Sequence, residues 1–371
     1  KYANFAVASP IKAMCLNIAH DCNLRCQYCF ASTGDFGEGR KLMSYETGKK
    51  AVDFLLKNSG DRVNLEMDFF GGEPLMNFET VKKIVEYARS QEPVYNKKFR
   101  FTITTNGMLL TDDKIDFINR EMSNVVLSID GRKDVNDRMR PRVDGKGSYD
   151  RIVPMYKKLV DQRGEKEYYV RGTYTKYNLD FSDDVFALLD AGFDQISVEP
   201  VIADPKEPYA ITEADLPRIF EEYERLMQKI LDYEATGKKF NFFHFMLDLD
   251  QGPCAIKRLR GCGCGNEYVA ITPDGDIYPC HQFVGEADYK MGNVDLFEMK
   301  QRENVEKISD LKGVQMEIAW GSQIRSYVFC PYTLVKDHRT SYEETVVEKV
   351  MDGGLDGFIN AYLVNEFNKN K

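Results

Sequence analysis

Between Phe30 and Pro253 the sequence has no cysteine at all, although the chain of 371 residues carries nine. Four fall within the first thirty residues and five lie from Cys254 to Cys330. So few thiols, odd in number, in a chain this long exclude a disulfide scaffold and read as ligands or reduced thiols in a reducing compartment. A basic surplus is missing too: 50 Lys and Arg against 59 Asp and Glu give a formal charge of −9 and a pI near 5.2. That balance argues against a general nucleic-acid binder while leaving room for a local basic groove. No run of eighteen apolar residues and no charged-then-apolar start occurs, so neither a membrane span nor a secretory signal is expected. The expected location is the cytoplasm, with no nucleic-acid and no membrane partner.

What is present is a regular alternation. Short β-rich runs at 13–19, 65–70, 99–105, 124–130, 168–175 and 195–201 are separated by amphipathic stretches such as YETGKKAVDFLLKN and YDRIVPMYKKLVDQ. Strands separated by helical patterns predict a parallel sheet. Six such units, ending near Pro200, fit an α/β partial (β/α)6 TIM-like barrel over 1–210; a six-strand doubly wound sheet is the alternative. A charged helix from Glu213 to Glu234 predicts a bridging helical segment, 211–252. From Cys254 the texture turns to Gly, Cys and short strands, which predicts a small metal-bearing module over 253–332. The remainder, 333–371, reads as a helical tail.

The first cysteine cluster is CNLRCQYCF, with Cys22, Cys26 and Cys29 directly after the first predicted strand, where βα folds carry their active-site loops. Three thiolates of one loop suit a [4Fe–4S] cluster and leave its fourth iron open to an external ligand. A structural zinc site, with His20 as its fourth ligand, or three ordinary thiols are the bland alternatives. Cys15, inside the strand, reads as a core thiol.

The C-x3-C-x2-C spacing with Tyr28 before the last Cys resembles the radical S-adenosylmethionine (SAM) superfamily. Three further segments carry the resemblance: FFGGEPLMN, TITTNGMLL and SIDG. It implies that the backbone of Gly71 and Gly72 approaches the amino group of bound SAM and that Glu73 offers it negative charge. Thr105 and Asn106 would line the cofactor pocket, and Ser128 would meet the ribose or carboxylate. Asp130 would serve the pocket or the substrate. Arg171 is a candidate for the cofactor carboxylate or a plain ion-pair partner, and Val198 and Glu199 are candidates beside the adenine.

In the second cluster, PDGDIYPC resembles the start of the SPASM module, with Gly275 and Cys280 in place and Cys262 or Cys264 upstream. At least one auxiliary iron–sulfur cluster is implied, drawn from Cys254, Cys262, Cys264, Cys280 and Cys330. Sets built on Cys254, Cys262, Cys280 and Cys330 are weakly preferred over those containing Cys264. The module's later block of closely spaced cysteines is lacking, which resembles the reduced, one-cluster "twitch" form. His281 stands where anaerobic sulfatase-maturating enzymes have an Asp base, and it is a candidate base, cluster neighbour or hydrogen-bond donor.

Over most of the chain, roughly from Met14 to Gly292, the sequence most resembles maturases of ribosomally made peptides, above all those forming thioethers in six-cysteine peptides (the SCIFF or ranthipeptide group), through CFASTGDF, RPRVDGKGSYD and DIYPCHQFVG. The expected activity is hydrogen abstraction from a Cys-containing precursor peptide by a 5′-deoxyadenosyl radical, followed by thioether closure, with flavodoxin or ferredoxin as reductant. Another radical modification (carbon–carbon or carbon–oxygen crosslinking, epimerisation, formylglycine formation) is the alternative. A non-catalytic iron–sulfur or zinc protein is the third reading. Relatives of this kind carry an N-terminal peptide-recognition domain that is not seen before Lys1, so a fragment or recognition elsewhere is expected.

Overall fold

The computed structural model describes residues 10–246 and 262–295, then 298–299, 325–328, 334–338, 340–351, 357–358 and 360–362. The chain divides into two compact units, 1–305 and 306–371.

In the first unit six strands run parallel in sequence order: β1 (Ala13–His20), β2 (Asn64–Gly71), β3 (Lys98–Thr105), β4 (Met122–Ser128), β5 (Glu167–Tyr174) and β6 (Gln195–Pro200). Between them lie α1 (Tyr45–Asn58), α2 (Phe78–Tyr95), α3 (Asp112–Glu121), α4 (Lys133–Met139), α5 (Tyr149–Asp161) and α6 (Phe181–Asp190). Local sequence explains their starts: Ser44 caps α1 by accepting from the Thr47 N–H at 3.0 Å.

Alternation along the strands decides between the two expected architectures. Leu65, Met67 and Phe69 of β2, and Phe99, Phe101 and Ile103 of β3, share one apolar core with Val52, Ile84, Ile115, Ile152 and Leu188 of the helices. Glu66, Asp68, Phe70, Arg100, Thr102 and Thr104 point the other way and stay half-buried or exposed. One face is thus packed by helices and the other is a polar trough, as in a partial (β/α)6 barrel; a doubly wound sheet would carry helices on both.

The expected bridge supplies α7 (Leu216–Glu234), which buries Ile219, Leu226 and Ile230, and β7 (Asn241–Phe242), parallel to β6. The metal-bearing segment is not set apart. Its β8 (Tyr268–Ile271) pairs in parallel with β1, and β9 (Asp276–Tyr278), β10 (Gly292–Asn293) and β11 (Glu298–Met299) continue the same sheet. The compact division accordingly falls after 305 rather than at 210, 252 and 332.

The second unit corrects the helical tail. β12 (Arg325–Val328), β13 (Leu334–Asp337) and β14 (Glu343–Glu344) form an antiparallel sheet, and only then comes α8 (Val347–Met351). Leu334–Asp337 alternates half-buried and buried residues, a period of two that a helix does not have. Val335, Val347, Val350 and Phe358 form its core. Among the described residues no helix is long and apolar enough to cross a membrane.

Candidate functional site

The loop that leaves β1 carries Cys22, Cys26 and Cys29, all half-buried. It is stitched to the segment after α4: Arg25 N–H donates to the Pro141 carbonyl at 2.8 Å, Gln27 N–H to that of Met139 at 2.9 Å, and Leu24 bridges to Arg142. Beneath it Asp130, with no exposure, accepts from the Tyr28 hydroxyl at 2.7 Å, Arg140 Nε at 2.9 Å and the Thr173 N–H at 3.0 Å. Asp130 is therefore committed to holding the cysteine loop. Oδ1 carries all three of these bonds, and Oδ2 faces the Tyr28 hydroxyl as well.

Burial, joined by Glu73 and the neighbouring thiols, pushes Cys22 up to about 12. Burial pushes Cys26 up to about 11 against the opposing charge of Arg140, and it raises Cys29 as well. The Cys22 sulfur accepts from the Leu24 N–H at 3.4 Å and from Asn106 Nδ2 at 3.5 Å. Gly34, at φ +92°, closes over it so tightly that an added Cβ would lie 2.6 Å from the Cys22 Cβ.

The two glycines after β2 serve this loop. A Cβ on Gly72 would lie 2.1 Å from the Asp21 carbonyl oxygen, while the Gly72 and Glu73 N–H groups donate to Ala19 and Asp21 at 2.7 and 2.8 Å. Gly71 packs on Ala19 in the same way. Glu73 is 1% exposed, and its carboxylate accepts from the Thr105 hydroxyl at 2.7 Å, the Asn106 N–H at 2.8 Å and the Leu75 N–H at 3.0 Å. Burial pushes it up to about 7 despite those donors. The structure thus turns Glu73 and Thr105 inward as a clasp between two loops, whereas Asn106 reaches Cys22 and, at 2.8 Å, Asn23 Oδ1.

Ser128 and Arg171 lie on the trough face, where Arg171 pairs with Glu199 at 2.9 Å and Ser197 donates to Glu199 at 3.1 Å. Val198 is fully buried in the helix-side core, so its side chain cannot meet an adenine; alternation gives that face to Ser197 and Glu199. Asp68, opposite Cys15 in the β1–β2 pairing, is raised by burial to about 6.

Of the second cysteine set, Cys254 and Cys330 lie outside the described residues. Cys262 is exposed. Cys264 and Cys280 are half-buried neighbours, and a hydrogen bond from Cys264, with His281 second among the donors, holds Cys280 well below the usual thiol range. His281 Nδ1 lies 3.6 Å from the Cys280 sulfur and 3.2 Å from the Tyr268 hydroxyl. Its ring centroid is 5.0 Å from Phe70 and 5.8 Å from Phe30, the residue after Cys29. A three-ring wall therefore joins the two cysteine loops.

The radical SAM superfamily model matches residues 16–170, and the SPASM iron–sulfur cluster-binding domain matches 262–316. The chain carries a radical SAM domain and a SPASM domain. Native anSMEcpe with bound AdoMet and Cp18Cys peptide shares the fold at a TM-score of 0.65 and 20% identity, covering 82% of this chain and 86% of that one. Streptococcus suis SuiB bound to precursor peptide SuiA does so at 0.57 and 20%, covering 81% and 67%. Among curated proteins, peptide chain release factor 2 of Listeria monocytogenes serotype 4b is 41% identical over 160 residues, 36% of this chain and 44% of that one. The chain thus spans less than half the length of that curated relative.

A radical SAM domain implies a [4Fe–4S] cluster and SAM, and the described residues fit them. Three half-buried thiols that resist ionisation supply ligands whose charge a bound cationic group would stabilise, and two N–H donors aim at one sulfur, as is common for the ligand sulfurs of clusters. Among the described residues no three His, Cys, Asp or Glu side chains converge on one metal ion. His20, fully buried and lowered to about 4, stacks on Phe36 at 4.7 Å. Sequence reasoning missed Arg140, Phe30, Phe70 and Asp68; strand phase signalled Asp68 and Phe70, position beside Cys29 signalled Phe30, and only its place at the start of RPRVDGKGSYD signalled Arg140.

Proposed function

We propose that the chain is a radical SAM peptide maturase acting in the cytoplasm, which abstracts a hydrogen from a Cys-containing precursor peptide and closes a thioether. The observation that carries this reading is the single trough walled at one end by the Cys22–Cys26–Cys29 loop and at the other by Cys264 and Cys280, with Phe30, Phe70 and His281 between. Peptides bound in two structures of the same fold support a peptide substrate. When bound, the cluster and SAM supply a 5′-deoxyadenosyl radical by one-electron cleavage of the sulfonium.

The chain's own residues do the rest. Cys22, Cys26 and Cys29 would hold the cluster, and Asn106 and the Leu24 N–H orient the Cys22 sulfur. Asp130 and Arg140 keep the loop from shifting. The aromatic wall narrows the trough and excludes water from the reacting carbon. As sulfur bonds to carbon the thiol gives up a proton, for which Asp68 and His281 are the side chains placed to act as base, and the last electron leaves to an auxiliary iron–sulfur cluster, which Cys264 and Cys280 would help to hold. A release-factor activity is not proposed, because that likeness leaves about two thirds of the chain unmatched and offers no role for three half-buried thiols in one loop.

The test is anaerobic reconstitution with iron and sulfide counting, then SAM and a reductant with the Cys-rich peptide encoded nearest the gene. Formation of 5′-deoxyadenosine together with a peptide lighter by two hydrogens supports the reading. Unchanged peptide mass with 5′-deoxyadenosine formed would instead favour epimerisation.

A further inference from the structure

Beside the cysteine loop lies a cavity of roughly 380 Å³ lined by Asn23, Met108, Leu109, Arg142, Val143 and Arg151, together with Asp144. Asn23 follows Cys22 directly and is bonded to Asn106, which also touches the Cys22 sulfur. The cavity is therefore one residue removed from a cluster ligand. Its apolar centre is unusual for a surface: Val143 is 62% exposed, next to Met108 and Leu109.

Around that centre the charge is opposite to that of the chain. Residues 138–151 hold five cations (Arg138, Arg140, Arg142, Lys146, Arg151) and two anions, in a protein of net charge −9. Both anions are engaged, Asp144 by Arg142 at 2.9 Å and Asp150 by Lys133. Arg140 is spent on Asp130. Arg138, Lys146 and Arg151 are exposed and make no ion pair with a described residue. Arg25 projects from the cysteine loop itself, held by the Cys22 and Leu24 carbonyls at 2.7 and 2.6 Å, and it likewise meets no described carboxylate. An apolar centre with the unpaired Arg151 in its lining, and with Lys146 and Arg25 on backbone hydrogen-bonded to Arg142 and Pro141, is the complement of a protein surface with an apolar centre and an acidic rim.

We propose that this rim is the docking face for an acidic one-electron carrier protein, which delivers its electron to the cluster held by Cys22, Cys26 and Cys29. The inference rests on the proposed function, since one electron is consumed for each sulfonium cleaved; the carrier is oxidised by one electron and the cluster reduced by one. Like charges elsewhere on this acidic chain repel such a carrier, and the cationic rim steers it to the one loop where transfer is short.

The test uses the reconstituted holoenzyme with two donors, flavodoxin hydroquinone and dithionite, following cluster bleaching by stopped flow and 5′-deoxyadenosine by chromatography. The double variant Lys146→Glu/Arg151→Glu is expected to slow flavodoxin-driven bleaching by roughly tenfold at low salt, with dithionite-driven bleaching unchanged. Wild-type flavodoxin rates are expected to fall as salt rises, while those of the variant do not. Val143→Asp is expected to slow flavodoxin alone. Equal flavodoxin rates in wild type and the double variant would overturn the docking face, as would an equal slowing with dithionite. A raised peptide KM with carrier rates untouched would also overturn it, by giving the rim to the substrate. Failure of the wild type to cleave SAM with dithionite would instead remove the underlying reading.

Discussion

The two cysteine sets are built on opposite electrostatic terms. Around Cys22, Cys26 and Cys29, burial opposes the thiolate, so the loop holds neutral thiols until a cationic group arrives. Around Cys280, hydrogen bonds from Cys264 and His281 overcome burial and favour the thiolate already. The first loop is framed by backbone bonds to 139–142 and by Tyr28 and Arg140 held on the buried Asp130 beneath it. One site is a rigid socket that depends on its cluster for charge balance; the other is a polarised thiol pair facing the same trough.

The widest gap between the two should appear in chemistry. Cys26→Ala is expected to abolish 5′-deoxyadenosine formation, a loss of at least about a thousandfold given that the cofactor supplies the hard step, and to lower the iron count by about one cubane. Cys280→Ala is expected to leave uncoupled SAM cleavage within a fewfold of wild type while product formation collapses. Equal loss of cleavage in both variants would erase the distinction between the sets.

Next in size is the frame. Asp130→Ala leaves the Arg140 guanidinium and the Tyr28 hydroxyl buried without their partner, which costs on the order of 3–5 kcal/mol. Urea unfolding of the cluster-free protein measures it, and Asp130→Asn, which keeps an acceptor, should recover part. A cost below about 1 kcal/mol would mean that the loop is not framed from below.

Much of this was legible beforehand, and the reason is periodicity. β2, β3 and β5 alternate apolar and polar residues, and all six strands stand between clear turn signals, so each was located to within a residue or two, and Cys22, Cys26 and Cys29 followed from the strand before them. Strand pairing across 250 residues is not written in local pattern, so the union of Tyr268–Ile271 with β1 was invisible. ISVEP is too short and too apolar to betray its phase, which is how Val198 was named beside Glu199 while Ser197 was passed over. The inward turn of Glu73 depended on partners thirty residues away.

That turn gives a third, pH-dependent expectation. Glu73 titrates near 7 in the folded chain against its ordinary 4.5, so the native state keeps a proton that the unfolded chain has released. Stability is then greatest below the ordinary value and declines as pH rises through the folded one, by on the order of 3 kcal/mol in total for a group so fully buried. Unfolding of the cluster-free protein between pH 5 and 7 should show this slope, and Glu73→Gln should flatten it. A slope unchanged in the variant would assign it to other carboxyls, Asp68 first.

The smallest effect separates two roles for one residue. Arg171 and Glu199 form a half-exposed pair on the trough face, so Arg171→Gln is expected to change stability by no more than about 1 kcal/mol. If Arg171 also meets the cofactor carboxylate, its loss raises the KM for SAM severalfold with kcat little changed, since such a contact is made equally in ground and transition states. An unaltered KM would leave it a plain ion pair. In that case the socket side of the trough recognises its cofactor through the Cys22 loop and the backbone around it, and the paired charges of β5 and β6 belong to the peptide's side.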